Sequence, residues 1–429
     1  MSPINYTEKY IQESSAIVAD NTARQRLSAL FDNGEFTELD RFAKNGDKPC
    51  EAVTAYGMVN GVTVYAFSQD STVCAGAMGA AQANKLERLY ALAEKNGCPV
   101  VGIFDSAGGY IDDGVATLTA YGKLIGYATR LSGVVPQISV IAGACTGAAL
   151  LLAQMADVTV ALKDNEDVKA AVAADDDISA VKAAALLLSY FPQNNLAEPL
   201  WSQQQPSGVV CEDKNSAVES IADAGSVLKL FDDECECAAV YLARIGGLPA
   251  GIVSAVADED ICEAGALKIA KLVSVCDAFS LPVVTLLDAK GFSSAKAAAI
   301  LAQAYSQATS PKVTVICGNA IGQAFIAMAS YGANADAVFA WNNAVITAVK
   351  PCTAVQLLCQ DKLNEGADRK ALEEEYAANS GSPFNAAALG CIDNIIEPKD
   401  TAVCVHKALD ALAGKRVSTL DKKHSNMPF

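Results

Sequence analysis

Two runs of small residues are the places where this chain could do chemistry. Gly143-Ala144-Cys145-Thr146-Gly147-Ala148-Ala149 and Gly318-Asn319-Ala320-Ile321-Gly322-Gln323-Ala324 share the spacing G-x-x-x-G-x-A, and each follows an apolar run. When a strand turns through glycine into a helix, the first helical N–H groups have no intrahelical partner and point outward. With bulky residues absent, a ligand oxygen can reach the backbone directly. One well-placed donor of this kind contributes about 2.7 to 4 kcal/mol to a transition state that develops negative charge on oxygen. The same spacing also suits close helix packing. Its recurrence at matching places in the chain favours anion binding.

The other chemistry-bearing residues are sparse. The two histidines, His406 and His424, both lie near the C-terminus and read as a helix-surface and a tail residue, so a histidine relay or metal cage is not expected. The fourteen cysteines are scattered through apolar runs, and the only close pair is Cys235-Glu236-Cys237. Without zinc-ribbon spacing they read as small core residues in a reducing compartment, and no metal site is expected. Asp175-Asp176-Asp177 reads as a solvated acidic loop. Asp105 suits either orientation of the loop after it or a capping role at a strand end.

The elements that position the two turns occur twice. Lys85, Pro99, Asp105 and Gly108 recur in the same order and spacing as Lys268, Pro282, Asp288 and Gly291, and the run 136–149 recurs as 311–324. The lead-in Asp32-Asn33-Gly34-Glu35-Phe36 is answered by Asp223-Ala224-Gly225-Ser226-Val227. Ordered self-similarity of this kind marks a duplicated domain, with chemistry expected where the copies meet. The polar, Pro- and Gln-rich segment 192–215 reads as the join, giving domains 1–205 and 206–429.

A helix is predicted over 22–30, capped by Asn21 or Thr22. A hairpin follows over 53–69 with its turn at Asn60-Gly61, matched by 239–254 around Gly246-Gly247. Each copy then gives a helix (79–96; 265–279) and a strand (100–104; 283–287) ending in Asp. A further helix and strand (137–142; 312–317) lead to the glycine turn and its helix, and a last strand closes each copy (157–162; 336–340). Alternating strands and helices define an α/β class.

At 429 residues and 52% hydrophobic, the chain is long enough for two cores. A net charge of −17, with no compensating basic stripe, argues against nucleic acid and anionic membranes. The polar N-terminus reads as lacking a signal peptide, which suggests a cytoplasmic protein. The apolar stretch 138–156 imitates a membrane span, but its counterpart carries Asn319 and Gln323, so a buried strand, turn and helix are expected.

Across nearly its full length the chain resembles the carboxyltransferase subunits of biotin-dependent acyl-CoA carboxylases and the alpha subunits of related decarboxylases. The resemblance rests on Thr22-Ala23-Arg24-Gln25-Arg26-Leu27 before Phe31-Asp32-Asn33-Gly34-Glu35-Phe36, and on Gly97-Cys98-Pro99-Val100-Val101-Gly102 leading to Asp105-Ser106-Ala107-Gly108-Gly109. It rests further on Ser132-Gly133-Val134-Val135-Pro136-Gln137-Ile138-Ser139, Cys276-Asp277-Ala278-Phe279 and the tail 422–429. It implies two tandem crotonase-like ββα spiral domains, the N-terminal one for acyl-CoA and the C-terminal one for biotin.

It also implies catalysis by backbone oxyanion holes, with Gly147 and Ala148 binding the thioester oxygen and Gln323 and Ala324 the biotin ureido oxygen. Gly108, Gly109, Tyr110, Gly143, Gly318 and Gly322 would line the substrates. Arg24, Arg26, Lys85, Lys123 and Arg130 are the cationic candidates for CoA phosphates, with solvated helix charges as the plainer reading. Ile326 falls where acyl length is sensed, with core packing as its plainer reading. The implied partners are a biotin carboxyl carrier protein, biotin carboxylase or membrane decarboxylase subunits, and further copies of the chain in a dimer or hexamer.

The chain departs from the family pattern in places. Tyr110 stands where a cation is usual, Gln323 replaces a glycine, the stretch 163–179 is a short acidic replacement for a long insertion, and the loop after Asp288 is short. These departures keep two rivals open: a non-catalytic scaffold paralogue, and a crotonase-like acyl-CoA enzyme that does not use biotin.

Overall fold

The computed structural model describes residues 6–17, 21–45, 48–165, 168–231, 235–256, 259–426 and 428. Met427 and Phe429 of the tail motif, and residues 166–167 of the acidic stretch, lie outside them. The chain divides into two compact units, Met1–Glu198 and Pro199–Phe429. The division falls inside the polar joining segment. Pro199 onward goes with the second unit because the Leu200 carbonyl accepts from Arg244 Nη1 (2.8 Å) and Ser202 N–H donates to the Gly247 carbonyl (3.0 Å).

The first unit is built on a seven-stranded sheet. Its order is Phe36–Leu39, Ala52–Val59, Val62–Gln69, Val100–Ser106, Gln137–Cys145, Val158–Leu162, Val172–Ala174. The first three strands are antiparallel and the rest parallel. Asn60 and Gly61 make the hairpin turn with φ 51° and 76°, the left-handed pair a two-residue loop requires. The parallel strands read as unbroken apolar runs because both faces are covered. Every residue of Val100–Ser106 is buried. Phe67 and Phe104 meet edge to face at 5.2 Å beneath the helices Ala80–Asn96 and Val115–Leu131. Full burial of such a side chain stabilises by about 1.5–3 kcal/mol.

The second unit repeats the plan with an eight-stranded sheet. Its main path is Leu228–Leu230, Ala239–Ile245, Leu248–Val256, Val283–Ala289, Lys312–Ile321, Ala337–Trp341, Asn394–Ile396, with Val345–Thr347 beside Lys312–Ile321. Glu263–Ala278 and Ala295–Gln307 take the places of the two long helices. The four helices between Pro351 and Ala388 have no counterpart among the described residues of the first unit and extend one end. Thr401–Leu412 packs on Ala217–Ile221, with His406 Nε2 3.1 Å from the Ile221 carbonyl oxygen, as Asp177–Leu188 packs on Thr22–Leu30 in the first unit.

Two buried lysines show how closely the copies correspond. Lys85 Nζ donates to the Ala52 carbonyl (2.8 Å), tying its helix to the start of the hairpin. Lys268, its equivalent, donates to the carbonyls of Ala238 (3.0 Å) and Cys235 (3.2 Å). Among the described residues no helix is long and apolar enough to cross a membrane, and the stretch 138–156 is a strand, a turn and the short helix Gly147–Ala153.

Candidate functional site

Each glycine turn sits at the end of a strand whose register has slipped. In the first sheet Phe104 pairs with Ile141, but Ser106 pairs with Cys145. Residues 142–144 therefore bulge out opposite Asp105 alone. In the second sheet Leu287 pairs with Ile316 and Ala289 with Ala320, leaving 317–319 opposite Asp288. Such a bulge bends a strand and re-aims the residues beyond it.

The space inside each bulge is taken by the aspartate. A Cβ on Gly143 would lie 2.3 Å from Asp105 Oδ1, and one on Gly318 would lie 2.3 Å from Asp288 Cγ. These glycines, expected to line the substrates, make room for a carboxylate. The two carboxylates are held differently. Asp105 accepts from Arg26 Nη1 (3.0 Å) and Ser71 Oγ (2.9 Å). Asp288 pairs with Lys214 and accepts from Asn319 N–H (2.6 Å) and Nδ2 (2.8 Å). Burial would raise the Asp288 pKa, but the bonds from Lys214 and Asn319 outweigh it and hold the carboxyl below its ordinary range.

Beyond the bulge the chain enters the turn. Gly147 has φ +56°, lies at the surface, and has no atom within 4 Å of where a Cβ would stand. Thr146 N–H is used by the Ser106 carbonyl (3.3 Å), and Ala149 N–H by the Thr146 carbonyl (3.2 Å). Gly147 and Ala148 stand between them at the start of Gly147–Ala153, where N–H groups lack helical acceptors.

In the second unit Gly322 has φ +53°, its N–H donates to the Thr347 carbonyl (2.9 Å), and the helix Gln323–Met328 starts from it. Ile326 N–H bonds back to the Gly322 carbonyl (3.1 Å), so Gln323 and Ala324 have no helical carbonyl upstream of them. The Gln323 side chain is exposed. Ile326 is not a core residue, being 59% exposed one turn beyond the donors. Leu151, its equivalent in the first unit, is 54% exposed. Leu151 was not singled out from the sequence, although the same duplication that identified Ile326's turn points to it.

The cationic candidates are mostly committed elsewhere. Arg26, expected to meet CoA phosphates, is 4% exposed, and besides Asp105 it holds Asp177 (2.8 Å) and the Ala142 carbonyl (3.3 Å). It is a buried structural cation at the back of the Gly143 bulge. Arg24 is bidentate with Glu38 (2.7 and 3.0 Å). Lys123 pairs with Glu87 and Arg130 with Glu94 across the faces of two helices. Lys85, Arg24, Arg41 and Lys44 nevertheless share the wall of a 250 Å³ cavity with Asn21, Glu13 and Asp70. Burial lowers the Lys85 pKa.

The loop after Asp105 is likewise closed on itself. Gly108 N–H donates to Ser106 Oγ (3.0 Å), and its carbonyl accepts from Met78 N–H (2.8 Å) and Tyr121 Oη (3.1 Å). A Cβ on Gly109 would strike Thr117 Cγ2 at 2.3 Å, so packing alone requires glycine there. Tyr110 N–H donates to the Met78 carbonyl (3.1 Å), and Asp112 beside the hydroxyl pushes the phenol pKa up. Nor is 175–177 a loose acidic loop. Asp175 pairs with Lys163, Asp176 caps the helix Asp177–Leu188 through Ser179 N–H (2.8 Å), and Asp177 holds Arg26.

Comparison with known proteins agrees with this architecture. The family model for the carboxyl transferase domain matches residues 19–171 and 169–427. The chain is 31% identical over 480 residues to the methylmalonyl-CoA decarboxylase alpha subunit of Veillonella parvula, covering 95% of this chain and 93% of that one. It is 32% identical over 484 residues to the carboxyltransferase subunit of propionyl-CoA carboxylase from Haloferax mediterranei, with the same coverage. A transcarboxylase 12S structure, described as a hexamer assembly with methylmalonyl-CoA and methylmalonic acid bound, superposes with a TM-score of 0.88 at 30% identity over 98% of this chain and 94% of that one.

Proposed function

The chain belongs to the carboxyl transferase family, and on that premise we propose that it moves a carboxyl group between biotin on a carrier protein and a short-chain acyl-CoA. The observation that carries this reading is the doubled device: a buried aspartate seated in a strand bulge, followed by a glycine turn that presents backbone donors. In the reading, residues 1–205 hold the acyl-CoA and residues 206–429 serve the biotin. Gly147 and Ala148 N–H groups meet the thioester oxygen as it gains enolate charge.

Biotin fits the second turn by the chemistry of its donors. Gln323 offers an exposed, neutral N–H group, which complements a urea-type carbonyl oxygen and would repel a cation, while Ala324 behind it is fully buried. Biotin, when bound, supplies the ring nitrogen that carries the carboxyl. The chain's own residues fix donor direction and withhold side-chain acids and bases from the turn. Leu151 and Ile326 offer apolar surface beside each turn, and the cavity at Lys85 and Arg24 offers positive charge for CoA phosphates. The partners of the reading are a biotin carboxyl carrier protein, a biotin carboxylase or membrane decarboxylase subunits, and further copies of the chain in a dimer or hexamer in the cytoplasm.

The test is exchange of labelled carboxyl between methylmalonyl- or malonyl-CoA and free biotin by the purified chain. Ala148→Pro and Gln323→Pro remove one donor each at positions near a helix start, where proline is tolerated. Each should lower kcat by about 10²–10³ while the circular dichroism stays unchanged. A scaffold role is favoured by the self-satisfied Gly108 loop, and it would show as no exchange together with no acyl-CoA binding. Acyl-CoA binding and turnover indifferent to biotin would instead support a crotonase-like enzyme.

A further inference from the structure

The close pair Cys235 and Cys237 meets a third cysteine, Cys262, 25 residues after Cys237, in the second unit. Cys237 Sγ lies 3.3 Å from Cys262 Sγ and 3.6 Å from Cys235 Sγ, and all three sulfurs lie within 4.8 Å of one another. Cys235 and Cys237 precede the strand Ala239–Ile245, and Cys262 is the N-cap of the helix Glu263–Ala278. Ordinary core packing does not account for this cluster. Thiols scattered as small apolar fillers would have apolar neighbours, whereas here sulfur faces sulfur at the edge of the core, with Cys235 and Cys262 partly exposed.

We propose that Cys235, Cys237 and Cys262 form a trithiolate site for a thiophilic d¹⁰ cation, with Zn²⁺ as the cation of choice and water completing the tetrahedron. With metal–sulfur bonds of about 2.3 Å, tetrahedral geometry sets sulfur–sulfur separations near about 3.8 Å, close to the spacing found.

Three further features prepare the site. Cys262 Sγ accepts from Gly265 N–H (3.4 Å), and Cys237 Sγ accepts from Cys262 N–H (3.4 Å), which are the outer contacts that orient and stabilise thiolate ligands. Three thiolates and one divalent cation leave a net negative charge, and the positive end of the 16-residue helix Glu263–Ala278 lies against it. Gly265 is pared back where the sulfurs gather, since a Cβ there would lie 2.5 Å from Cys237 Sγ and 3.3 Å from Cys235 Sγ. Binding would release the three thiol protons and clamp the start of the hairpin onto the helix that carries Lys268.

The full chain is reduced, stripped of metal with a chelator and titrated anaerobically with Co²⁺, then with Zn²⁺. The expected result is one Co²⁺ per chain, an intense near-ultraviolet thiolate-to-cobalt band, its loss when Zn²⁺ displaces the cobalt, and a rise in thermal midpoint with Zn²⁺. Cys235→Ser, a change at a partly exposed thiol, should weaken Co²⁺ binding by at least about tenfold, and Gly265→Ala should weaken it as well. Cys404→Ser, on the outer helix, should change nothing. The proposal is overturned if the folded, reduced chain shows no such band. It is equally overturned if the band survives replacement of all three cysteines, or if a Cys237–Cys262 disulfide forms and its reduction yields no metal uptake.

Discussion

The two copies of the bulge solve one problem with different charges. In the first unit Asp105 is locked by a guanidinium that is itself buried, shared with Asp177 and bonded to the bulge through the Ala142 carbonyl. In the second, Asp288 is met by Lys214, whose side chain is 40% exposed, and by the amide of Asn319 within the bulge. The lead-in residue equivalent to Arg26 is Ala217, and the cation comes instead from earlier in the same segment. The frame therefore requires a satisfied carboxylate behind the turn, whatever group satisfies it. Both carboxylates are buried, but the first unit satisfies its own with a cation that is itself in the core, while the second draws on a cation that reaches solvent.

The largest expected effect tests that contrast. Arg26→Met leaves Asp105 and Asp177 without their shared cation and should cost about 3–5 kcal/mol, whereas Lys214→Met should cost about 1 kcal/mol or less. Both tryptophans, Trp201 and Trp341, lie in the second unit, so their fluorescence reports that unit while far-ultraviolet dichroism reports both. In urea, Arg26→Met should lower the dichroism midpoint with little change in the fluorescence midpoint. Equal losses from the two variants would remove the distinction between the sites.

A second contrast lies at the base of the same strands. Gln137 and Lys312 are equivalent, and each donates to a carbonyl near the C-terminal end of the preceding helix, Ala128 in its last turn or Ala308 at its C-cap. Burial first, and then Lys415 nearby, lower the Lys312 pKa from 10.5 to about 8. Below that value the folded state carries the full cost of a buried ammonium. As pH rises from about 8 towards 10.5 the folded protein has released a proton that the unfolded chain still holds, so stability should increase, by at most about 3 kcal/mol. Lys312→Gln, which copies the first unit, should remove that rise. The difference between the two proteins' unfolding midpoints across the window isolates this lysine from other groups titrating there.

The bulges themselves come next. Gly143→Ala and Gly318→Ala each place a methyl group on a carboxylate and should cost about 1–3 kcal/mol by overpacking. The first should cost more, because Asp105 is held by the buried Arg26 and by Ser71, whereas Asp288 is held by the part-exposed Lys214 and by Asn319, which belongs to the bulge and can move with it. The reverse order, read from midpoints of the same unfolding curves, would mean that Lys214 constrains its partner as firmly as Arg26 does.

How much of this was legible in the sequence depends on the range of the interactions. Hairpin turns at Asn60-Gly61 and Gly246-Gly247, the cap at Asn21 and the paired glycine turns are set by neighbours within a few positions, and the duplication showed each of the main elements twice. The fate of Arg26 was not legible, because its partners Asp105 and Asp177 come from distant parts of the chain. The same is true of the carboxylate in each bulge and of Cys262 meeting Cys235 and Cys237. The short helices between Pro351 and Ala388 were missed because they bury few residues and show little apolar periodicity.

The smallest effect separates the two buried lysines. Lys85→Met releases one carbonyl, that of Ala52, and removes an ammonium whose charge burial already disfavours, so loss and gain nearly cancel. Lys268→Met releases two carbonyls, those of Ala238 and Cys235, and should cost about 1 kcal/mol more, the worth of one further hydrogen bond. The extra bond fastens the segment that carries Cys235, so Lys268→Met should also speed amide exchange at the start of the strand Ala239–Ile245, while Lys85→Met leaves exchange in Ala52–Val59 closer to the parent. Equal exchange at the two hairpins would show that the second carbonyl adds nothing.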